Sequence, residues 1–416
     1  MTLQKGLVEI GDLITAGAIL AIQDGNHGAK HPKASDYVED GISFVMANDL
    51  NKGTLAVKST SKIPESLAEK LRIGFSVSGD VLLTHKGTIG NTAIVPEVSP
   101  YIMLTPQVTY YRVDPGILNN HYLMYCFRER NFQKVMASLA QQSTRPYIGI
   151  TAQRKLKIFF RDIDEQSKVV SRIKIYDDLI GNNYRRIQLL DDAVGLLYKE
   201  WFVSLRYPGH EHEVVTDGVP RGWSRRYIKD CCTKVSYGYT ASASLEKAGP
   251  KFLRITDIVP QFIDWETVPY CEIGEKEKNT HKVVSGDVVV ARTGATVGYA
   301  KQIRSIDQDV VYASYLVRFR PDAEIIDDLI FGIFMESREY KEFVRSNAGG
   351  AAQPNANAQI LGSASLLVPS KKIQAQFRIY CEDSLKLKEI LIKQIAQLQK
   401  SRDLLLPRLM NGDITV

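Results

Sequence analysis

One phrase occurs twice in this chain, and it dictates how the chain is divided. Gly79-Asp80-Val81-Leu82-Leu83-Thr84-His85-Lys86-Gly87-Thr88-Ile89-Gly90 returns about 207 residues later as Gly286-Asp287-Val288-Val289-Val290-Ala291-Arg292-Thr293-Gly294-Ala295-Thr296-Val297-Gly298. Each copy reads as a β-branched strand, a glycine-bounded turn and a second strand. Other features recur at nearly the same spacing: Phe44 to Leu50 against Phe252 to Ile258, and Val113-Asp114-Pro115 against Phe319-Arg320-Pro321. Helix-like stretches follow at Asn119 to Leu139 and Asp327 to Ser346, then loops at Gln141 to Gly149 and Ala348 to Asn357. A period this long exceeds that of any solenoid, so each copy must be a domain with its own core.

Behind each copy lies a long helical pattern. Steps of four and three from Val169 run through Ile173, Tyr176, Ile180, Asn183, Ile187, Leu190, Val194, Leu197 and Trp201, with no Pro between Asp164 and Phe202. The same count near the C-terminus passes Ile373, Phe377, Tyr380, Ser384, Leu387, Leu391, Gln394, Leu398, Ser401 and Leu405. At ~1.5 Å per residue such a helix is on the order of 55 to 60 Å long, too long for one small domain. Two apolar stripes in one chain most simply pack on each other. Asn183 and Gln394 stand near the middle of their stripes, where polar residues either fix register by pairing or merely interrupt the seam. The expected fold is α+β: two similar globular α/β domains, 1–163 and 207–372, separated by helices within 164–206 and 373–416. The helices pack as an antiparallel coiled coil, and the whole is a pseudo-twofold internal duplication.

Composition closes off several classes. No apolar run approaches the ~18 residues of a membrane helix, and the first residues lack the basic flank and apolar core of a signal peptide. Five cysteines, Cys126, Cys231, Cys232, Cys271 and Cys381, with no C-x-x-C spacing, fit a reducing compartment without structural zinc, and the expected location is the cytoplasm. A net charge of +6 permits a polyanionic partner without requiring one. There is no phosphate-binding Gly-x4-Gly-Lys-Ser/Thr loop, no His-Glu-x-x-His and no Asn/Asp-Pro-Pro-aromatic methyltransferase signature. This inventory suits a chain that binds and does no chemistry.

The candidate contact residues lie in turns. His27, Lys30, His31 and Lys33 form a small polar, basic loop; Gly28 and Pro32 argue against the helix that would make the two histidines metal ligands. His85, Lys86 and Thr88 supply donors at the first glycine-bounded turn, Arg292 and Thr293 at the second, with a basic residue, Lys86 or Arg292, before each. Arg145, Tyr237, Tyr239 and Arg254 complete the set. The amides, imidazoles and lysines of the first loop suit phosphate or base edges as well as they suit a plain surface loop.

Taken together, the duplicated turn and the paired helices resemble the specificity subunit of Type I restriction-modification systems, over essentially the whole chain. Gly218-Val219-Pro220-Arg221-Gly222-Trp223 looks like that family's entry into a second recognition domain. Asp164-Glu165-Gln166 looks like the Glu-Gln opening its first conserved helix, with Gln374-Ala375-Gln376 as counterpart and Ala375 where Glu is expected. Ser236-Tyr237-Gly238-Tyr239-Thr240 and the run Phe252 to Asp257 resemble the opening of one recognition-domain type. The resemblance implies two target-recognition domains, each reading half of a gapped, asymmetric double-stranded DNA site. It implies helices that set the gap and dock DNA methyltransferase subunits, two of them, with motor-nuclease restriction subunits joining for cleavage. S-adenosylmethionine would belong to the methyltransferase partner, ATP and Mg to the restriction partner, and no cofactor to this chain. The alternatives are a scaffold spacing two protein-binding domains, and a metal-dependent nuclease built on Asp24, His27, His31 and Asp36.

Overall fold

The structure is a computed structural model that describes residues 3–28, 30–51, 53–141, 146–350, 354–411 and 414. It divides into two compact units: Met1–Gly181 with Ala396–Val416, and Asn182–Ile395.

In the first unit a four-stranded antiparallel sheet runs in the order Ile19–Asp24, Val108–Val113, Val81–Lys86, Thr88–Ile94. The strand Val81–Lys86 is buried on both faces, which is why it reads as a continuous apolar run rather than an alternation. Val81 and Leu83 point to one side, into a core with the helices Asn120–Arg128 and Arg130–Gln141. Leu82 points to the other, against Val45 and Leu104 of a second sheet. That second sheet has the order Ser61–Ile63, Ile42–Val45, Ile102–Leu104, Phe75–Ser76, with Ile42–Val45 and Ile102–Leu104 parallel.

The second unit repeats this plan. Its sheet runs Cys232–Tyr237, Leu316–Pro321, Val288–Ala291, Ala300–Gln302. Val288 and Val290 face a core with the helices Asp328–Glu336 and Arg338–Asn347, while Val289 and Ala291 face Leu253 and Val310. Lys251–Leu253 and Val310–Tyr312 form the corresponding parallel pair. The Asp of each repeated phrase is buried and does one job twice. Arg112 grips Asp80 through Nε and Nη2 at 2.9 and 2.9 Å, and Arg320 grips Asp287 at 2.7 and 2.8 Å. Each bidentate pair ties the strand start to its central neighbour. The units differ after that strand. The first makes a tight hairpin to Thr88–Ile94. The second, expected to do the same, instead leaves the strand at Ala291 and folds Gly294–Thr296 into a 3-10 turn.

Two long helices run through the chain, Ile163–Tyr198 and Lys371–Met410, of 36 and 40 residues. The first ends in a π-helical turn, Lys199–Val203. Within the first unit the start of one meets the end of the other: Val169, Val170 and Ile173 share a core with Leu406, Leu409 and Met410. There Asp177 receives Arg128 at 3.0 Å and Arg402 at 2.8 Å, and these two cations hold its carboxyl below its usual range against the opposing effect of burial. Within the second unit Val194, Tyr198 and Trp201 pack with Ile373, Phe377 and Cys381, Lys388 pairs with Asp191 at 2.5 Å, and Asn183 Nδ2 donates to Gln394 Oε1 at 3.5 Å. In both units the two helical segments are therefore antiparallel.

On the first helix all the expected seam residues are buried or half-buried. On the second the expected stripe is displaced by one residue in places. Cys381, Ile395, Arg402 and Leu406 are buried, whereas Tyr380 and Ser401 are exposed, Gln394 is exposed but reaches Asn183 across the pair, and Leu387, Leu398 and Leu405 are half-buried. An apolar count misses Arg402 because its burial is supported by its ion pair with Asp177. A second correction concerns the helix starts. Gln166 accepts from Asn119 N at 2.8 Å and donates to the Ile117 and Arg161 carbonyls. Gln374 accepts from Asp327 N at 2.6 Å and donates to the Ile325 and Pro369 carbonyls. Gln374 is thus the counterpart of Gln166, and the Gln376 alignment is out by two.

Candidate nucleic-acid interface

The strands Ile19–Asp24 and Val81–Lys86 both run antiparallel to Val108–Val113, so both end at the same edge of the sheet. The loops that begin at Gly25 and span 86–88, 105–107 and 146–149 meet there. The backbone hydrogen bonds that hold them are repeated in the second unit. His85 N donates to Gln107 O and its carbonyl accepts from Ile148 N, both at 3.0 Å; Arg292 N donates to Tyr315 O at 3.0 Å and its carbonyl accepts from Ala356 N at 2.9 Å. Gly87 N donates to Pro146 O as Gly294 N does to Pro354 O. Gly87 and Gly294 have φ of +75° and +74°, a left-handed turn that glycine adopts without strain. At the neighbouring strand end a Cβ on Gly25 would stand 1.9 Å from Thr105 O, and on Gly238 2.2 Å from Ala313 O. Only glycine lets the chain pass.

This register corrects the sequence alignment of the turns. Arg292 is the counterpart of His85, and Thr293 the counterpart of Lys86. Asp24 corresponds to Tyr237, since they pair with Thr109 and Val317 on the central strands.

Equivalent positions carry different chemistry. In the first unit His85 is buried, not displayed as a donor: its Nδ1 lies 3.2 Å from Ile148 O, its Nε2 3.4 Å from Asp24 Oδ1, and its ring against Tyr147. Burial lowers its pKa below the usual 6.5, with Asp24 and the Ile148 carbonyl partly opposing. Neutral His85 therefore donates from Nδ1, and its Nε2 has no hydrogen-bond partner. Asp24 in turn accepts from Thr109 Oγ1 at 2.6 Å, Thr109 from Gln153 Nε2 at 3.0 Å, and Gln153 Oε1 from Tyr111 at 2.5 Å. A buried polar network thus braces this sheet edge. Lys86 and Thr88, at the hairpin tip, are exposed, as are His27, Lys30 and Lys33. His27 and His31 contact different carbonyls, Gly25 O and Asn26 O, and His31 packs on Phe44. Among the described residues no three His, Cys, Asp or Glu are grouped as metal ligands. Arg145 lies outside the described residues.

In the second unit the guanidinium of Arg292 lies over the Tyr237 ring, 5.0 Å from its centroid. Tyr237 Oη accepts from Ala358 N at 2.9 Å. Thr293 is half-buried beside them, and Tyr239 packs its ring on His281. Arg254 is committed elsewhere. Its backbone N–H and guanidinium both go to Asp257, at 2.8, 3.1 and 3.0 Å, capping the short helix Ile255–Ile258. Asp257 is the counterpart of Asp49, which accepts from Met46 N at 2.7 Å, so Arg254 stands at a structural cap. Reasoning from the sequence named Asp24 only as a metal ligand of the nuclease alternative and overlooked Gln107, Tyr147, Tyr315 and Asn355. Gln107 pairs with Tyr315 and Tyr147 with Asn355 at an offset of 208, one more than the 207 of the turns, and this nearly constant spacing was the available signal.

Fold and site together define a duplicated binding protein, one loop-bearing sheet edge built twice on a chain with two long helices. Residues 8–191 match the sequence profile of the Type I restriction modification DNA specificity domain. The chain is 22% identical over 398 residues to the MjaIX Type I restriction enzyme specificity subunit of Methanocaldococcus jannaschii, covering 92% of this chain and 89% of that one. It is 21% identical over 347 residues to the HindI specificity subunit of Haemophilus influenzae, covering 67% and 73%. Among solved structures it is similar to the S subunit of a Type I restriction-modification system from M. genitalium, at 13% identity and a TM-score of 0.48, covering 98% and 96% of the two chains. The chain thus carries a Type I restriction modification DNA specificity domain over residues 8–191 and is similar over most of its length to Type I restriction enzyme specificity subunits.

Proposed function

We propose that each unit reads one half of an asymmetric bipartite site in double-stranded DNA. The observation that carries this reading is the duplicated sheet edge, whose backbone bonds repeat while its side chains differ: Asp24, His85, Lys86 and Tyr147 against Tyr237, Arg292, Thr293 and Asn355. A repeated frame with different donors favours two different half-sites over a palindrome. In the first unit exposed Lys30, Lys33 and Lys86 suit phosphate contacts that fix orientation, with His27 and Thr88 beside them as donors. In the second unit Arg292, Tyr237, Tyr239 and Thr293 form the corresponding set.

In this reading the helices set the gap between half-sites and dock two methyltransferase subunits, which bring S-adenosylmethionine. Restriction subunits, with ATP and Mg, complete the assembly. Outward-facing apolar side chains support docking: Ile175 and Leu179 in the first unit, Leu189, Leu196 and Val203 in the second. In the second unit Leu189 and Leu196 stand seven apart on the helix Ile163–Tyr198, away from the internal seam.

The test is a map of methylated adenines in DNA from cells expressing the chain with its methyltransferase subunit, against cells lacking the chain. The expected result is chain-dependent modification at one gapped, asymmetric motif. A palindromic motif, or assembly without any chain-dependent modification, would overturn the two-reader assignment.

A further inference from the structure

Four arginines of the second unit, Arg254, Arg318, Arg320 and Arg378, are each spent on internal partners: Asp257, the Lys282 carbonyl with Ser236, Asp287, and Asp327 with Asp328. Arg292 is held in a different way. Among the described residues its guanidinium makes no hydrogen bond and no ion pair, and its Nε is buried without a partner. Yet it is not loose. Its backbone is bonded on both sides, to Tyr315 O and from Ala356 N, and one face of the guanidinium lies against the Tyr237 ring. Tyr237 is itself fixed by the Ala358 N–H.

We infer that Arg292 is a specificity-determining residue that reads a guanine in the half-site of the second unit, and that Tyr237 is its positioning residue. The inference rests on the DNA-reading role proposed above. With Nε buried and one face stacked, the edge that can turn outward is the pair of Nη groups, a planar two-donor fork. Guanine is the base that offers two acceptors, O6 and N7, on its major-groove edge. The same fork also fits a phosphate, but a phosphate contact carries no base preference, so the two are separated by what the domain selects. The first unit supports the same conclusion by contrast. At the same register His85 turns its Nδ1 to Ile148 O and faces Asp24, so the side chain at this position offers no free fork. The two halves should therefore differ at this position: one with a fixed guanine, the other without a contact from His85.

Selection of duplexes from a library with two randomised blocks, using the full chain assembled with its methyltransferase subunit, tests this. Wild type should select a motif containing a guanine that R292A no longer prefers, with binding to the selected duplex weakened about tenfold or more, as for loss of one bidentate pair. The other half-site should be unchanged. Y237F, which keeps the ring, should retain the guanine preference, and Y237L should lose it with the thermal midpoint of the fold preserved. An R292A protein that binds all duplexes more weakly, with a salt slope shallower by about one and the same motif, would identify a phosphate contact and overturn the assignment. An unchanged motif and affinity would also overturn it, leaving DNA reading intact. Failure of wild type to select any motif would remove both readings.

Discussion

His85 shows how one side chain can be both close to the interface and closed off from it. Burial depresses its pKa, while Asp24 Oδ1 stands where an Nε2 proton would point. The unfolded chain takes up a proton near pH 6.5, and the folded chain takes it up only at lower pH. Stability is therefore fully present above about pH 6.5 and falls as the pH drops below it. His121 and His281 are also depressed by burial and contribute with the same sign, so the effect of one histidine must be taken as a difference. Urea melts of wild type and H85Q between pH 5 and 8 should show a gap that narrows as the pH falls, because glutamine does not titrate. A gap independent of pH would show that His85 titrates alike in both states. At this scale the sequence was only partly legible. The turn glycines and the charged tips Lys86 and Arg292 stood out, because glycine and charge mark turns. That Arg254 caps a helix and His85 sits inside a polar network depended on partners such as Asp257 and Gln153, and no local pattern reveals which carboxylate or carbonyl a side chain will meet.

The elements were more legible than the side chains. Apolar runs buried on both faces gave the central strands, and a heptad count gave both long helices, because period is a local property. Its failure on the second helix is instructive. Cys381 and Arg402 belong to the buried line although neither reads as a strong apolar position, and the count drifted onto Tyr380 and Ser401 instead. The same helices yield two predictions. Buried Ile187, with no exposure, should cost about 2 to 5 kcal/mol when cut to alanine, read as a shift in the denaturation midpoint. Leu196, 65% exposed, should behave in the opposite way. L196D should leave the midpoint within about 0.5 kcal/mol of wild type, since little packing is lost at a surface position. If the outward face docks the methyltransferase subunit, L196D should nonetheless abolish co-elution with that subunit in size-exclusion chromatography. A stable L196D chain that still assembles would exclude this part of the face.

For the whole molecule the duplication is what matters, because it separates what each part is asked to do. The frame of each sheet edge is held by backbone bonds and by the Asp80–Arg112 and Asp287–Arg320 pairs, so its loops can vary without loss of the fold. Under the proposed function the helices are equally separable from the readers. Each is regular over 36 residues or more, and removing seven residues from both, in antiparallel partners, keeps the apolar seam in phase while shortening each by about 10 Å. The residues removed should avoid Asp177, Asp191, Lys388 and Arg402, whose pairs cross between the helices. Such a protein should still modify DNA, at the same two half-site sequences with fewer base pairs between them. The change should be about three base pairs, from the ~3.4 Å rise of each pair. Methylation mapping reads the half-sites and the gap in one measurement. An unaltered gap would mean that something other than the helices fixes the spacing, and altered half-sites would mean that the helices take part in reading them.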